Sequence, residues 1–224
     1  MMKTLVVTGG IGSGKSLVCS FLAERGLPVY DSDSRTKMLY DSSPELLARI
    51  GDAVGTDVTG EDGRLDRRRL ASVVFSDGER LEALEMVVHP AVLDDFYRWK
   101  AEAERSLSQM PEKIPFVVFE SAIILEKPLF RSVADVVLLV DAPMETRIAR
   151  ACARDGAGRG AVLERMSRQK LLNGISSGLV TPDADYVIVN DGTVESLRGK
   201  VGDFLSGLLR QCHSVEDCGT ENLR

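Results

Sequence analysis

Residues 3–26 read KTLVVTGGIGSGKSLVCSFLAERG, and this stretch decides the fold. Leu5, Val6 and Val7 form an apolar run with no polar interruption, the pattern of a fully buried strand. From Ser16 onward, Leu17, Val18, Phe21 and Leu22 recur at helical spacing as far as Gly26, a residue suited to the left-handed turn after a helix. Between strand and helix, Gly9-Gly10-Ile11-Gly12-Ser13-Gly14-Lys15-Ser16 satisfies every fixed position of G-x-x-x-x-G-K-[ST]. The chemistry explains the composition. The first N–H groups of a helix lack intrahelical partners and lie at the positive end of its dipole, so they suit a polyphosphate. Glycines let the backbone close around such an anion. Gly10, Ile11, Gly12, Ser13, Gly14, Lys15, Ser16 and Leu17 are therefore the candidate nucleotide-binding residues. Lys15 is placed to reach the β- and γ-phosphates, and the Ser16 hydroxyl to help hold Mg²⁺.

The two largest departures from an even composition are basic islands in an acidic chain. The 224 residues carry a formal charge of −6, which argues against general nucleic-acid binding. Residues 147–170, however, hold Arg147, Arg150, Arg154, Arg159, Arg165, Arg168 and Lys170 against only Asp155 and Glu164. Residues 64–69, RLDRRR, set four arginines against Asp66. Two places that handle anions are expected, although charge runs also occur as plain solvated helix faces. No stretch approaches the roughly 20 apolar residues that span a bilayer, and the first apolar run is too short for a secretory leader. The four cysteines form no C-x-x-C pair, so reduced thiols and a cytoplasmic setting are expected. With only two histidines, a histidine-based metal site is not expected.

Five apolar runs read as strands: 3–8, 27–31, 114–121, 134–142 and 184–190. Helical patterns separate them, which predicts an α/β fold with a five-stranded parallel sheet flanked by helices. Residues 34–110 lack a strand signal and offer successive amphipathic stretches, followed by a long helix expected to start at His89-Pro90. The predicted organisation is a nucleotide-binding core (1–33, 111–146 and 184–210), a helical acceptor-binding insertion (34–110), a lid (147–170) and a tail without regular structure (211–224). The lid rests on DGAGRG, residues 155–160, three glycines between arginine-rich helices.

Size, helical insertion and arginine-rich lid favour a small-molecule kinase over a GTPase, since no N-K-x-D segment follows a strand. Phosphoryl transfer needs positioning, charge neutralisation and exclusion of water, which lid arginines supply. The acceptor must also lose a proton. The second strand ends in VYDSD, which puts Asp31 and Asp33 on one face if the strand persists, and strand carboxyl ends form the ligand crevice of such a sheet. Asp33 is the candidate general base, with Asp31 supporting it or holding a Mg²⁺-bound water. Both residues serve equally well as caps of the next helix. Glu120, at the end of the third strand, suits a Mg²⁺-bound water, a substrate contact or a structural hydrogen bond. His89 at an expected helix start reads more readily as structural than catalytic.

TGGIGSGKS (8–16), D-x-D after the second strand, VVHP (87–90), VDAPMETRIARACARD (140–155), RMSRQ (165–169) and ADYVIVNDG (184–192) together resemble the dephospho-CoA kinase family over about residues 3–208. The resemblance implies a P-loop kinase fold with a helical CoA-binding insertion and a lid. It implies ATP-dependent phosphorylation of the ribose 3′-hydroxyl of 3′-dephospho-CoA, with Mg²⁺, as the last step of coenzyme A synthesis. Carried over by position, it makes Asp33 the base, assigns Gly12 to Ser16 to the ATP phosphates, and matches Arg150, Arg154 and Arg159 to lid arginines. Lys15, Asp33 and Arg154 thus form the expected catalytic set. Leu17 replaces the threonine usual after the loop serine, SAIILE (121–126) departs from the usual proline-leucine-leucine segment, and residues 170–184 are longer than usual. The expected partners are ATP and 3′-dephospho-CoA, with neither nucleic acid nor membrane, in a monomer or small homo-oligomer. A nucleoside monophosphate kinase and an inert ATP-binding regulator are the alternatives.

Overall fold

The structure, a computed structural model, describes residues 2–75, 77–108, 114–176, 178 and 183–218. In chain order the elements are β1 (Lys3–Thr8), α1 (Lys15–Glu24), β2 (Val29–Asp31), α2 (Ser32–Ser42), α3 (Pro44–Val54), α4 (Arg67–Val74) and α5 (Gly78–Leu107). There follow β3 (Phe116–Glu120), α6 (Pro128–Arg131), β4 (Val136–Asp141), α7 (Met144–Asp155), α8 (Arg159–Ser167), α9 (Lys170–Ser176), β5 (Tyr186–Val189) and α10 (Val194–Cys218). The five strands pair in parallel in the order β2-β3-β1-β4-β5. The five predicted apolar runs are these strands.

Strand periodicity divides their side chains between two cores. Val6, Tyr30, Val117, Phe119 and Val137 face one way, where apolar rows of α3, α4 and α5 cover them. Leu5, Val7, Phe116, Val118, Leu138 and Val140 face the other, against α1 and α10. The helical insertion has no separate interior: its Leu47, Ile50, Val88 and Phe96 belong to the same core as the sheet face beneath.

Three expectations are corrected. The helix expected to begin at His89-Pro90 begins instead at Gly78, capped by Asp77, and runs 30 residues with Pro90 inside it. The row Leu84, Val88, Val92, Phe96 continues its buried stripe across the proline, and Pro90 lies on the exposed side. A proline inside a helix usually costs about 3 kcal/mol, and the apolar row buried on either side of Pro90 offsets it. The tail expected to lack structure from 211 continues α10 to Cys218, and 219–224 lie outside the described residues. Asp31 and Asp33 do not share a strand face, because β2 ends at Asp31 and Asp33 already stands in the first turn of α2. Of the return segment 170–184, α9 reaches Ser176, and residues 177 and 179–182 lie outside the described residues.

α2 is fixed to α5 by a charged network. Arg35 donates from Nε and Nη2 to both carboxylate oxygens of buried Asp95, each at 2.8 Å, and the Tyr30 hydroxyl donates to Asp95 Oδ2 at 2.8 Å. Burial pushes the Asp95 carboxyl up, but the hydrogen bonds from Arg35 and Tyr30 together hold it below its usual value. Stability from this group is therefore complete above about pH 4 and lost as pH falls through the depressed value. Asp95→Ala leaves the Arg35 guanidinium without its acceptor and the Tyr30 hydroxyl with only the Val92 carbonyl, at 3.2 Å. Because the Arg35 side chain keeps 31% exposure, the expected loss is toward the low end for a buried pair, about 2–3 kcal/mol. Thermal melts should show it as a fall of about 5–10 °C.

Candidate active site

The carboxyl ends of β1, β2 and β3 lie level with one another. Glu120 pairs in register with Val7 on one side and Asp31 on the other. β1 connects outward through α1 to β2, while β3 leads back across to β4, so a crevice opens at this end of the sheet. The loop after β1 lies there. Gly14 caps α1 in the left-handed conformation, φ 101°, with no side-chain hydrogen bond, and no acidic residue stands in the first turn of α1. The N-terminal N–H groups of α1 are thus left for an external anion. Gly14 is also required for space: a Cβ there would lie 2.3 Å from Asn190 Nδ2.

Lys15 folds back with Nζ 3.4 Å from the Gly10 carbonyl. Desolvation pushes its ammonium below the usual lysine value, and the carboxylates of Glu120 and then Asp33 counter it without cancelling it. Ser16 Oγ donates to Glu120 Oε1 at 2.8 Å. Among the described residues no group of three or more His, Cys, Asp or Glu side chains could hold a metal by themselves. A hydroxyl beside a carboxylate at a phosphate loop nonetheless fits Mg²⁺, which takes few protein oxygens and completes its shell with phosphates and water. Ser13 Oγ, buried in the loop, has no hydrogen-bond partner among the described residues.

The question of the cap is answered by geometry. Asp31 caps α2: its Oδ1 accepts from the N–H groups of Asp33 and Ser34 at 3.0 and 3.1 Å, and its Oδ2 from Ser34 Oγ at 2.6 Å. The Asp33 carboxylate is left exposed and makes no hydrogen bond or ion pair among the described residues. It lines a cleft of about 380 Å³ between α2 and α5. Leu84, Val88, Val92, Ile123 and Phe130 give this cleft an apolar lining, with Lys37, Arg67 and His89 as its basic groups. His89 stands mid-helix rather than at a helix start, edge-on to Phe130 at 4.9 Å, and burial holds its imidazole below the usual value.

The arginines expected in the lid are not gathered at the loop. Arg154 forms a bidentate pair with its neighbour Asp155, at 2.7 and 3.1 Å, and Arg165 pairs with the same carboxylate. Arg159 forms a bidentate pair with Glu145 at 2.7 and 2.8 Å. The break between α7 and α8 is confined to residues 156–158, with Gly156 in the left-handed region. Arg150 instead donates to the Asn190 carbonyl and Oδ1 at 3.2 and 3.3 Å, and Asn190 Nδ2 donates to the Ser13 carbonyl at 2.8 Å. Leu17 packs partly buried against the core beneath α1. Arg147, counted above in the cationic lid face, is wholly buried. Asn190, Gln169 and Lys37 are not marked individually in the sequence, whereas Arg67 belongs to the basic island 64–69. Of the first three, only Asn190 carries a usable signal there, as a polar residue directly after an apolar strand.

A sheet that shapes one strand-end loop for a polyphosphate and opens a second cleft beside it is the architecture of a P-loop kinase acting on small molecules. The family model described as dephospho-CoA kinase matches residues 4–196, and the chain belongs to this family. It is 40% identical to the dephospho-CoA kinase of Porphyromonas gingivalis, over 84% of this chain and 86% of that one. Among solved structures, TT1252 from Thermus thermophilus superposes with a TM-score of 0.69 at 36% identity, covering 92% of this chain and 98% of that one. Dephospho-CoA kinase from Campylobacter jejuni shares the fold with a TM-score of 0.63 at 18% identity, covering 93% and 98%.

Proposed function

We propose that this chain transfers the γ-phosphoryl group of ATP to the ribose 3′-hydroxyl of 3′-dephospho-CoA, giving coenzyme A and ADP, with Asp33 as the base. One observation carries the assignment of the base: Asp33 lines the second cleft and also acts electrostatically on Lys15 of the loop. That position, between the cleft and the loop, supports a role at the acceptor hydroxyl. As the acceptor oxygen bonds to the γ-phosphorus, its proton passes to the Asp33 carboxylate, and the bond from phosphorus to the β–γ bridging oxygen breaks to release ADP.

Gly12, Gly14, Lys15, Ser16 and Leu17 offer backbone N–H groups to the phosphates, whereas the N–H groups of Ile11 and Ser13, also expected to bind them, are taken by Gln169 and the Gly10 carbonyl; Lys15 neutralises the β- and γ-oxygens. Ser16, with Glu120 behind it, would hold Mg²⁺, which neutralises phosphate charge when bound. Lys37 and Arg67, the latter also paired with Asp41 at 3.5 Å, are the cleft cations suited to the pyrophosphate of dephospho-CoA. Arg150 reaches the loop through Asn190, while Arg154 and Arg159 act after the lid closes. A cytoplasmic monomer or small homo-oligomer completes the reading; Cys19, Cys152 and Cys212 are unpaired, in keeping with a reducing setting. Among the described residues no helix is long and apolar enough to cross a membrane.

The site of phosphorylation is checked on the product. Dephospho-CoA has a vicinal ribose diol that periodate cleaves, and a 3′-phosphate removes it. A periodate-resistant product whose ³¹P spectrum shows a 3′-phosphomonoester is expected; a product still cleaved by periodate contradicts the assignment. Arg154→Ala should lower kcat about tenfold or more and change ATP affinity by less than about threefold, because Arg154 is paired to Asp155 until closure. Equal losses in titrated ATP affinity and in kcat would mark it as a ground-state binder.

A further inference from the structure

Ile11 stands in the phosphate loop, and both of its backbone polar groups are taken by the two ends of the lid segment. Its N–H donates to Gln169 Oε1 at 2.9 Å, and its carbonyl accepts from Arg147 Nε at 3.0 Å. Arg147 lies in the first turn of α7, and Gln169 lies between α8 and α9. The Ile11 side chain packs against the small core of the lid, formed by Ile148, Ala151, Val162 and Met166.

Two further contacts close the assembly. Arg147 Nη2 lies 3.4 Å from Asn173 Oδ1, and Asn173 Nδ2 donates to the Met166 carbonyl at 2.6 Å. Loop and arginine are fitted to each other. A Cβ on residue 10 would lie 2.0 Å from Arg147 Nη2, and one on residue 12 would lie 2.2 Å from the Arg147 carbonyl. Gly10 and Gly12 are therefore demanded by this arginine, apart from any approach of phosphate. A wholly buried guanidinium is costly unless its hydrogen bonds and its charge are used. Here the carboxylate of Asp141, at the end of β4, counters part of that cost, and the Arg147 Nε holds one carbonyl of the loop at 3.0 Å.

We propose that Gln169 and Arg147 are positioning residues that clamp Ile11, preset the phosphate loop for ATP and join its shape to the lid. The Ile11 N–H is thereby committed to the lid, and the anion is left to the N–H groups at the start of α1. The proposal rests on residues 9–16 being the ATP phosphate loop and is independent of which acceptor is used.

The test uses the full chain, with ADP as the probe, titrated calorimetrically, and amide hydrogen exchange read at Ile11. Gln169→Met keeps the shape and removes the acceptor; Gln169→Glu keeps an acceptor oxygen. Gln169→Met is expected to weaken ADP binding about tenfold, the scale of one well-formed hydrogen bond. It should also speed exchange at Ile11 about tenfold or more, with melting temperature and dephospho-CoA binding unchanged. Gln169→Glu should restore the slow exchange. Arg147→Lys, which keeps the charge and loses the Nε bond, should bind ADP more tightly than Arg147→Met; if Arg147→Met does not fold, the Gln169 pair carries the test. ADP affinity within twofold of wild type in Gln169→Met, or unchanged exchange at Ile11, overturns the clamp. So does a loss of ADP affinity that comes with a matching loss of melting temperature. Failure to phosphorylate dephospho-CoA with the ADP and exchange results as expected would count against the acceptor and leave the clamp standing.

Discussion

Asp33→Asn is expected to lower kcat by about 10²–10⁴-fold while ATP and dephospho-CoA remain bound. The substitution is unusually clean here. Asparagine keeps the shape of the side chain, and the cap of α2 belongs to Asp31, so the helix start is unaffected. The Asp33 carboxylate makes no hydrogen bond or ion pair among the described residues that the change would break. Melting temperature should therefore stay within a degree or two of wild type. Calorimetric titration with dephospho-CoA, run beside single-turnover kinetics, separates binding from chemistry. Near-normal turnover would transfer the role to Glu120, the other carboxylate acting on Lys15. A Mg²⁺ titration of the variant distinguishes loss of the base from a displaced metal-bound water, because only the latter is rescued by excess metal.

Lys15→Ala should lower kcat by about 10²-fold or more, as removal of a preorganised charge at the transferring phosphate does. Retention of more than a tenth of wild-type kcat, about 1.4 kcal/mol of barrier, would contradict the role. Lys15 is half-buried against the Gly10 carbonyl. Because desolvation outweighs Glu120 and Asp33 and lowers its pKa, the charged form is disfavoured in the free protein. Removing it should therefore leave the melting temperature near wild type. A sign follows for pH. The phosphates of ATP favour the protonated lysine, so ATP binds most tightly below the depressed pKa, and its affinity falls as pH rises through that value. In Lys15→Ala this fall should vanish. An unchanged pH profile would show that another group carries it.

The strand, loop and α1 were legible because their determinants are local. A β-branched run, a glycine-lysine-serine spacing and a helical stripe each act within a few residues. What escaped is tertiary. Arg147 reads as one more cation of a solvated lid, and only the approach of α7 to the loop shows that it is buried beneath Gly10. Pro90 reads as a helix start because proline favours the first turn; the apolar row on either side of it, which α5 buries, overrides that preference. Asp31 and Asp33 could not be told apart by composition, since either can cap. Their roles diverge because β2 stops at Asp31, which makes that residue the cap and turns Asp33 toward the cleft. The partners of Arg154 and Arg159 are Asp155, within 147–170, and Glu145, just before it in the first turn of α7; both are ordinary surface acids in the sequence.

The central claim is the identity of the acceptor, and ADP release measured with a panel of acceptors tests it most directly. With ATP and Mg²⁺ present, ADP should be released in step with added dephospho-CoA, and at no more than background rate with AMP, CMP or pantothenate. Equal or faster release with AMP or CMP would make the chain a nucleoside monophosphate kinase. Background release with every acceptor, while ATP still binds, would contradict an enzymatic role altogether.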